Sequence, residues 1–387
     1  MTAGAGALGL VPWPEDARAR ADLLAPVVGD ARVVAWSEGL HHTEEFLSLR
    51  NDAVAAMVEE FGVTVLAAET GFTEALAVAD YLRGAGPEEP DPAALEGIWS
   101  WGGALEPNRE LLIWLRRHNQ RSARPVAFYG LDPCGAYRGR FQHARRGLDR
   151  AVAYVVAADR AAGEPLQARL APLLDRFSTG GYPRLSIPER DRLAGAIAQL
   201  RTWFDRESDA RLEDAGFRCA RHQATLAGHL DLLLRGGGRG AHTARRDAAQ
   251  AESFRFVLGE HRAADRILLF EQVDHLVDLP GTLGHHLRTM LPGQIRSIGS
   301  VWERAPDGNT SHRDNIAPVA SLLAAAVDQL PVGQRTGRYF CDLAPLAGAG
   351  PASPTSPGLA RYLASFEATL YVPDLTATGP GVRAVGG

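Results

Sequence analysis

The 387-residue chain is 45% apolar and 22% charged, an ordinary balance for a globular protein long enough to bury one or two sizeable cores. Its formal net charge of −5, with no long basic run, excludes an electrostatic footprint for nucleic acid. No uninterrupted apolar stretch is long enough to span a bilayer.

All 41 basic residues are arginine, a bias that fits the abundance of Ala, Gly and Pro expected from a GC-rich coding sequence. Cys134, Cys219 and Cys341 are odd in number and widely spaced, with no metal-type or redox-type pairing. That pattern predicts reduced thiols. The N-terminal MTAGAGALGLVPWPEDA lacks the basic and apolar regions of a signal peptide, so the expected location is cytoplasmic.

Residues 1–9 are small and read as a disordered lead. Helical composition over Glu15–Ala25 precedes an apolar run, Val33–Trp36, which stops at Ser37-Glu38-Gly39-Leu40-His41-His42. Phe46, Leu49, Ala53, Met57, Val58 and Phe61 then recur at threes and fours, the period of a helix. Gly62 is placed to end that helix in a left-handed conformation. A second apolar run, Val63–Ala68, ends at Glu69. Strand, helix, strand makes one βαβ unit, a right-handed crossover between parallel strands. Glu38, His41 and Glu69 would then emerge at the carboxyl edge of one sheet, where open α/β sheets place their ligands.

A helix over Glu74–Arg83, a Pro- and acid-rich loop through Pro92, the segment Trp99-Ser100-Trp101 and a helix over Asn108–Gln120 follow. Pro125–Leu131 reads as a third strand ended by Asp132. The middle of the chain is rich in Arg, Ala and Leu, with helical patterns over Arg140–Gly163, Arg169–Phe177 and Pro188–Arg235. Breaks fall at Ser178–Pro188 and Gly236–Gly240. The sheet pattern resumes at Ile267–Phe270, which stops at Glu271-Gln272-Val273-Asp274-His275. Leu283–Leu291 reads as a helix, Ile295–Val301 as a strand, and Phe340–Leu346 as a further strand. Residues 348–358 form a Gly/Pro/Ser loop and Thr376–Gly387 a loose tail.

The expected fold class is α/β, a mainly parallel central sheet flanked by helices with a large helical insertion as a lid. The division is 10–135 for the first part of the core, 136–262 for the insertion, 263–373 for the second part and 374–387 for the tail.

Four apolar runs thus end in Glu38/His41/His42, Glu69, Asp132 and Glu271/Asp274/His275. A polar residue often marks a strand end, yet parallel strands would bring all four to one crevice. Imidazole titrates near pH 6.5, so His41 can take a proton from water at neutral pH while Glu38 or Glu69 orients it. Crowded carboxylates would raise one pKa and create a general acid. Arg50, two turns along the helix, serves either as a clamp for a carboxylate or oxyanion or as an ordinary ion pair. There is no G-x-S-x-G elbow, no G-x-G-x-x-G opening a helix and no P-loop. Cys134 alone lies near a strand end, and His222, His229, His285 and His286 fit packing or surface roles. Histidines and carboxylates could hold a divalent ion, but their spacing has no diagnostic pattern.

These residues resemble the erythromycin esterase family over most of the chain. The family's first strand ends in G-E-x-x-H-G-T-x-E-F, followed by an arginine and a strand ending in glutamate. Here the positions read Ser37-Glu38-Gly39-Leu40-His41-His42-Thr43-Glu44-Glu45-Phe46, then Arg50 and Glu69. Trp99–Trp101, Phe128–Asp132 and the Arg246-Asp247 pair also resemble family features. The resemblance implies a sheet-centred α/β fold and a reaction needing neither cofactor nor metal, with His41 as base and Glu38, Glu69 and Arg50 as its polar support. The family's later strand ends in H-N-x-H. Here that segment is Gln272-Val273-Asp274-His275, which keeps only the second histidine. Ser37 and His42 replace two glycines of the first motif. Glutamine hydrogen-bonds but cannot shuttle a proton.

The expectation is a hydrolase cleaving an ester or lactone of a small hydrophobic molecule. His41, Glu38, Glu69, Arg50 and His275 are its catalytic candidates, and His42, Asp132, Gln272, Glu271, Asp274, Trp99 and Trp101 line the substrate. Two alternatives stay open: a natural-product tailoring enzyme using the same groups without net hydrolysis, and a non-catalytic binding protein. The partner in each case is a small molecule, not nucleic acid or membrane.

Overall fold

The computed structural model describes residues 9–98, 105–137, 140–141, 144–306, 316–335, 337–348 and 357–378. The chain forms two compact units. One comprises Met1–Ala68, Ala104–Phe128 and Ala263–Gly387; the other comprises Glu69–Gly103 and Tyr129–Arg262.

The strands in chain order are β1 (Leu10–Pro12), β2 (Val33–Glu38), β3 (Val63–Gly71), β4 (Ala127–Asp132), the short ribbon of β5 (Ala136–Tyr137) and β6 (Arg140–Phe141), β7 (Arg266–Gln272), β8 (Ile295–Arg304), β9 (Tyr339–Asp342) and β10 (Ala368–Asp374). All except the ribbon join one sheet in the order β1-β9-β10-β8-β2-β7-β3-β4. The pairings of β10 with β8, β8 with β2, β2 with β7 and β7 with β3 are parallel. At one margin, β9 pairs antiparallel with β10 and β1 antiparallel with β9. The fold is therefore mixed α/β with a mostly parallel sheet, as the sequence predicts.

Strand β2 explains the arrangement of the first unit. Val33, Val34, Ala35 and Trp36 are all buried, so the strand carries apolar side chains on both faces, as a central parallel strand must. Its register with β7 sets Ser37 opposite Glu271 and Glu38 opposite Gln272. The polar ends of these two strands thus finish side by side. In β3, Ala68 pairs with Phe270, and Glu69 is the next residue along the strand.

Helix α1 (Ala17–Val28) starts where the Asp16 carboxylate accepts from the Ala19 amide at 2.9 Å, satisfying a donor of the first turn. Helix α2 (Glu44–Glu59) buries Phe46, Leu49, Ala53 and Met57 on one face, the stripe visible in the sequence. Phe46 meets Trp302 edge-on with ring centroids 6.2 Å apart, and burying such a ring is worth about 2 kcal/mol. Gly62 has φ +67 and turns the chain from α2 into β3.

The second unit is built around α3 (Phe72–Leu82) and the helices Arg145–Ala158, Arg160–Leu174, Ile187–Arg206, Ala215–Leu234 and Arg239–Glu260. Leu148, Leu170, Leu200, Trp203, Phe204 and Phe217 share its core. The helix expected to run to Gly163 breaks at Asp159, whose carboxylate accepts from the Ala162 amide at 3.1 Å and starts a new helix. Ser186 and Glu189 form a reciprocal cap on the helix that follows.

Three differences from expectation concern the second half of the sheet. Strands β1 and β10 had no clear sequence signal. The strand expected over Phe340–Leu346 ends at Asp342, and Ala344–Gly348 is helical. Thr376 and Thr378, within the expected loose tail, hydrogen-bond with Glu44, Glu45 and His42 at the start of α2. No helix among the described residues is long and apolar enough to cross a membrane.

Candidate active site

In the first unit, the loop after β2 closes on itself. Thr43 Oγ1 donates to the Leu40 carbonyl at 3.0 Å, which folds His41 back toward the strand it follows. His41 Nδ1 and Glu38 Oε2 are 2.7 Å apart, with Glu38 fully buried and His41 partly exposed. A carboxylate can only accept, so Nδ1 carries the proton and the basic lone pair lies on Nε2. That tautomer is the one a general base needs. The imidazolium that forms on proton uptake is stabilised by the adjacent carboxylate.

Arg50 is buried one helical face away. Its Nε and Nη2 donate to Asn51 Oδ1 at 3.1 and 2.9 Å, Nη2 reaches the Pro107 carbonyl at 3.4 Å, and the guanidinium lies 5.4 Å from the Phe270 ring centroid. Burial lowers its pKa to about 10, partly offset by attraction to Glu38, so it remains cationic at neutral pH. Arg50 is therefore held by neutral partners, and its charge acts on Glu38 at a distance. It makes no ion pair among the described residues, which removes the ordinary salt-bridge reading.

The end of β7 adds Glu271, Gln272 and His275, all buried. Glu271 Oε1 accepts from the Gln272 amide at 3.2 Å. A Glu271 carboxylate oxygen and a His275 ring nitrogen lie within 4.8 Å of each other. Asp274, beside them, opens the short helix Val273–Leu276. A carboxylate and an imidazole at this separation are donor types that a divalent ion accepts. His42 follows His41 with φ +64, a left-handed conformation unusual for a residue with a side chain.

In the second unit, Arg246 ties together two of the strand-end acids. Its Nε and Nη2 donate to Asp132 Oδ1 and Oδ2, both at 2.7 Å, and Nη2 also donates to Glu69 Oε1 at 2.7 Å. Gln250, one turn further along the same helix, donates to Asp132 Oδ1 at 3.2 Å. All four side chains are buried. The family resemblance singles out Arg246 only within the Arg246-Asp247 pair and does not single out Gln250. Their four-residue spacing on one helix was the available signal.

Cys134 does not suit covalent catalysis. Burial, reinforced by the Glu74 charge, pushes its thiol well above the usual range and keeps it protonated. His222 packs between Phe72 and Phe256, with ring centroids 4.5 and 4.6 Å away, and hydrogen-bonds Ser253. His285 pairs with Asp278 at 2.8 Å. Both fill the packing or surface roles expected of them. Trp99 and Trp101 lie outside the described residues.

Comparison with known proteins agrees with this architecture. The erythromycin esterase family model matches residues 58–347. Glu38, His41 and Arg50 precede that span. A curated relative, erythromycin esterase type II of Escherichia coli, is 23% identical over 277 residues, 66% of this chain. The chain spans 63% of the length of that relative. Among solved structures, a histidine-to-asparagine mutant of erythromycin esterase EreC in its open conformation aligns with TM-score 0.71 and 16% identity, covering 96% of this chain and 97% of the other. A Bacillus cereus protein aligns with TM-score 0.68 and 14% identity over 96% and 97% of the two chains. A succinoglycan biosynthesis protein aligns with TM-score 0.68 and 12% identity over 96% of each. At these identities the structures establish the shared fold.

Proposed function

The chain belongs to the erythromycin esterase family, and from that premise we propose that it is an esterase-like hydrolase in which His41 activates water against an ester or lactone of a small hydrophobic molecule. The observation that carries this reading is the 2.7 Å contact between His41 Nδ1 and the buried Glu38 carboxylate. Water held at His41 Nε2 gives up its proton as its oxygen attacks the carbonyl carbon. The resulting imidazolium is balanced by Glu38, and it returns the proton to the departing alkoxide. The Arg50 charge, sheltered from solvent, favours the ionised form of Glu38 and adds positive potential where the oxyanion develops. Glu69, His275, Glu271 and Gln272 are proposed to complete the polar surroundings of the substrate, together with His42, Asp132, Asp274, Trp99 and Trp101. No metal enters the mechanism.

Macrolactones and p-nitrophenyl esters assayed in ¹⁸O-labelled water test the reading. One label must appear in the carboxylate product. Turnover without incorporation would instead support an elimination, cyclisation or rearrangement. That second reading is favoured by Gln272, which cannot carry a proton where the family motif has histidine.

A further inference from the structure

The segment after β10 runs back to the loop that holds the proposed base. Leu375 N donates to the Arg304 carbonyl at 2.9 Å, which sets the direction of the chain as it leaves the sheet. The Thr376 carbonyl accepts from Glu44 N at 3.0 Å, and Thr376 N donates to Glu45 Oε2 at 2.8 Å. Ala377 then faces Thr43 in an isolated antiparallel bridge. Thr378 donates twice to the His42 carbonyl, from its amide at 3.0 Å and from Oγ1 at 3.2 Å. These contacts all fall on the residues just after His41: Thr378 fixes the His42 carbonyl, and Thr376 fixes the first turn of α2.

The fixed peptide is also the unusual one. His42 has φ +64, where a β-carbon crowds the backbone, and such a conformation persists only when its surroundings over-determine it. Glycine would adopt it without strain. Two hydrogen bonds onto the His42 carbonyl supply the restraint that the backbone itself does not. We propose that residues 375–378 are a positioning strap for the general base, and that Thr378 is its principal positioning residue. The strap holds the His42 peptide so that Nδ1 of His41 meets Glu38, and it is needed because position 42 carries a side chain. This inference rests on His41 acting as the base.

Three forms of the full chain test it: the native sequence, Thr378→Pro, which removes the amide donor and the hydroxyl together, and Thr378→Pro combined with His42→Gly. A Thr378→Ser form, which keeps both donors, is the conservative control. The readouts are the ¹⁵N-detected tautomer and titration of His41, its rate of carbethoxylation by diethyl pyrocarbonate, and kcat separately from KM. In Thr378→Pro the Nδ1-protonated tautomer gives way to a mixture and carbethoxylation accelerates. The kcat falls about tenfold to 100-fold with KM little changed, the scale of a misplacement of about 1 Å. His42→Gly restores the native tautomer and the native rate of carbethoxylation, and Thr378→Ser matches the native chain. An unaltered His41 tautomer and titration in Thr378→Pro overturns the strap. So does failure of His42→Gly to restore that tautomer. If the native chain hydrolyses no ester at all, the hydrolase reading fails, while the tautomer and carbethoxylation still decide the strap. Should Thr378→Pro fail to fold, Thr378→Ala, which removes only the hydroxyl, is read in the same way with smaller shifts.

Discussion

His41 Nδ1 and Glu38 Oε2 stand 2.7 Å apart across the turn that leaves β2, with the carboxylate fully buried. Glu38 is part of the strand, while His41 lies three residues beyond it. The imidazole is therefore oriented by a rigid element although it sits on a loop. Replacing His41 by Ala or Gln is expected to lower kcat by about 100- to 10 000-fold, the usual contribution of a general base, with the melting temperature nearly unchanged. Full activity in either variant removes His41 from the mechanism. Glu38→Gln is expected to slow turnover too, because the amide no longer stabilises the imidazolium.

Arg50 loses its charge only in alkaline solution, because burial lowers its pKa to about 10 rather than lower. The proposed electrostatic role then gives kcat/KM a falling limb as pH rises through about 10. Arg50→Gln is expected to show a lower plateau without that limb. A profile with the same alkaline limb in both proteins would assign the limb to another group.

Arg246 bridges the buried carboxylates of Glu69 and Asp132. Removing one partner of a buried ion pair leaves an uncompensated charge, at a cost of roughly 3–5 kcal/mol. Arg246→Ala should lower the urea midpoint accordingly. Arg246→Lys should recover only part of the loss, since a lysine cannot make the two parallel bonds to Asp132. Equal stability of native and Arg246→Ala chains would refute the counterion role.

His222 is buried against two phenylalanines, and desolvation lowers its pKa to about 3. The unfolded histidine titrates near 6.5, so above that pH both states are neutral and the full stability is present. Between about 6.5 and 3 only the unfolded state binds the proton, and stability falls as pH falls, by about 1.4 kcal/mol per pH unit. His222→Gln is expected to flatten the acid limb of the stability curve, read from chemical denaturation between pH 7 and 4.

Gly39 has no room for a side chain. A β-carbon there would lie 2.7 Å from ring atoms of both Phe46 and Trp302. Gly39→Ala must push one of those rings aside, at about 1–3 kcal/mol, and it displaces the loop that carries His41. Both melting temperature and kcat should drop. A loss of stability without any loss of activity would show that the base tolerates movement of its loop.

Much of the first unit was legible in the sequence because its signals are local. The period of Phe46, Leu49, Ala53 and Met57 and the apolar runs of β2, β3 and β7 each need only a few neighbouring residues to interpret. The E-x-x-H spacing likewise puts an acid and an imidazole three residues apart at the end of one strand. Partnerships between distant segments were hidden. Arg246 could have paired with any of several acids, and only the folded helix shows that it takes Asp132 and Glu69. Strand β10 was missed because ATLYVPD contains a proline and lacks clean alternation, yet it pairs with both β8 and β9. The Thr376–Thr378 contacts were hidden for the same reason, as small polar residues near a terminus carry no pattern that names their partner.

The position of β2 has a further meaning for how the molecule comes into being. Its two hydrogen-bonding neighbours, β7 and β8, are encoded more than half the chain later. On the ribosome, the apolar strand that ends in Glu38 emerges early and must wait for both partners. The helices of Tyr129–Arg262 are encoded within that interval. Non-local pairings of this kind pay loop-closure entropy before they gain contacts, so the sheet assembles late and slowly. The strand partners of β2 are therefore synthesised well after the loop bearing His41, and Thr376 and Thr378, which hydrogen-bond beside that loop, follow later still.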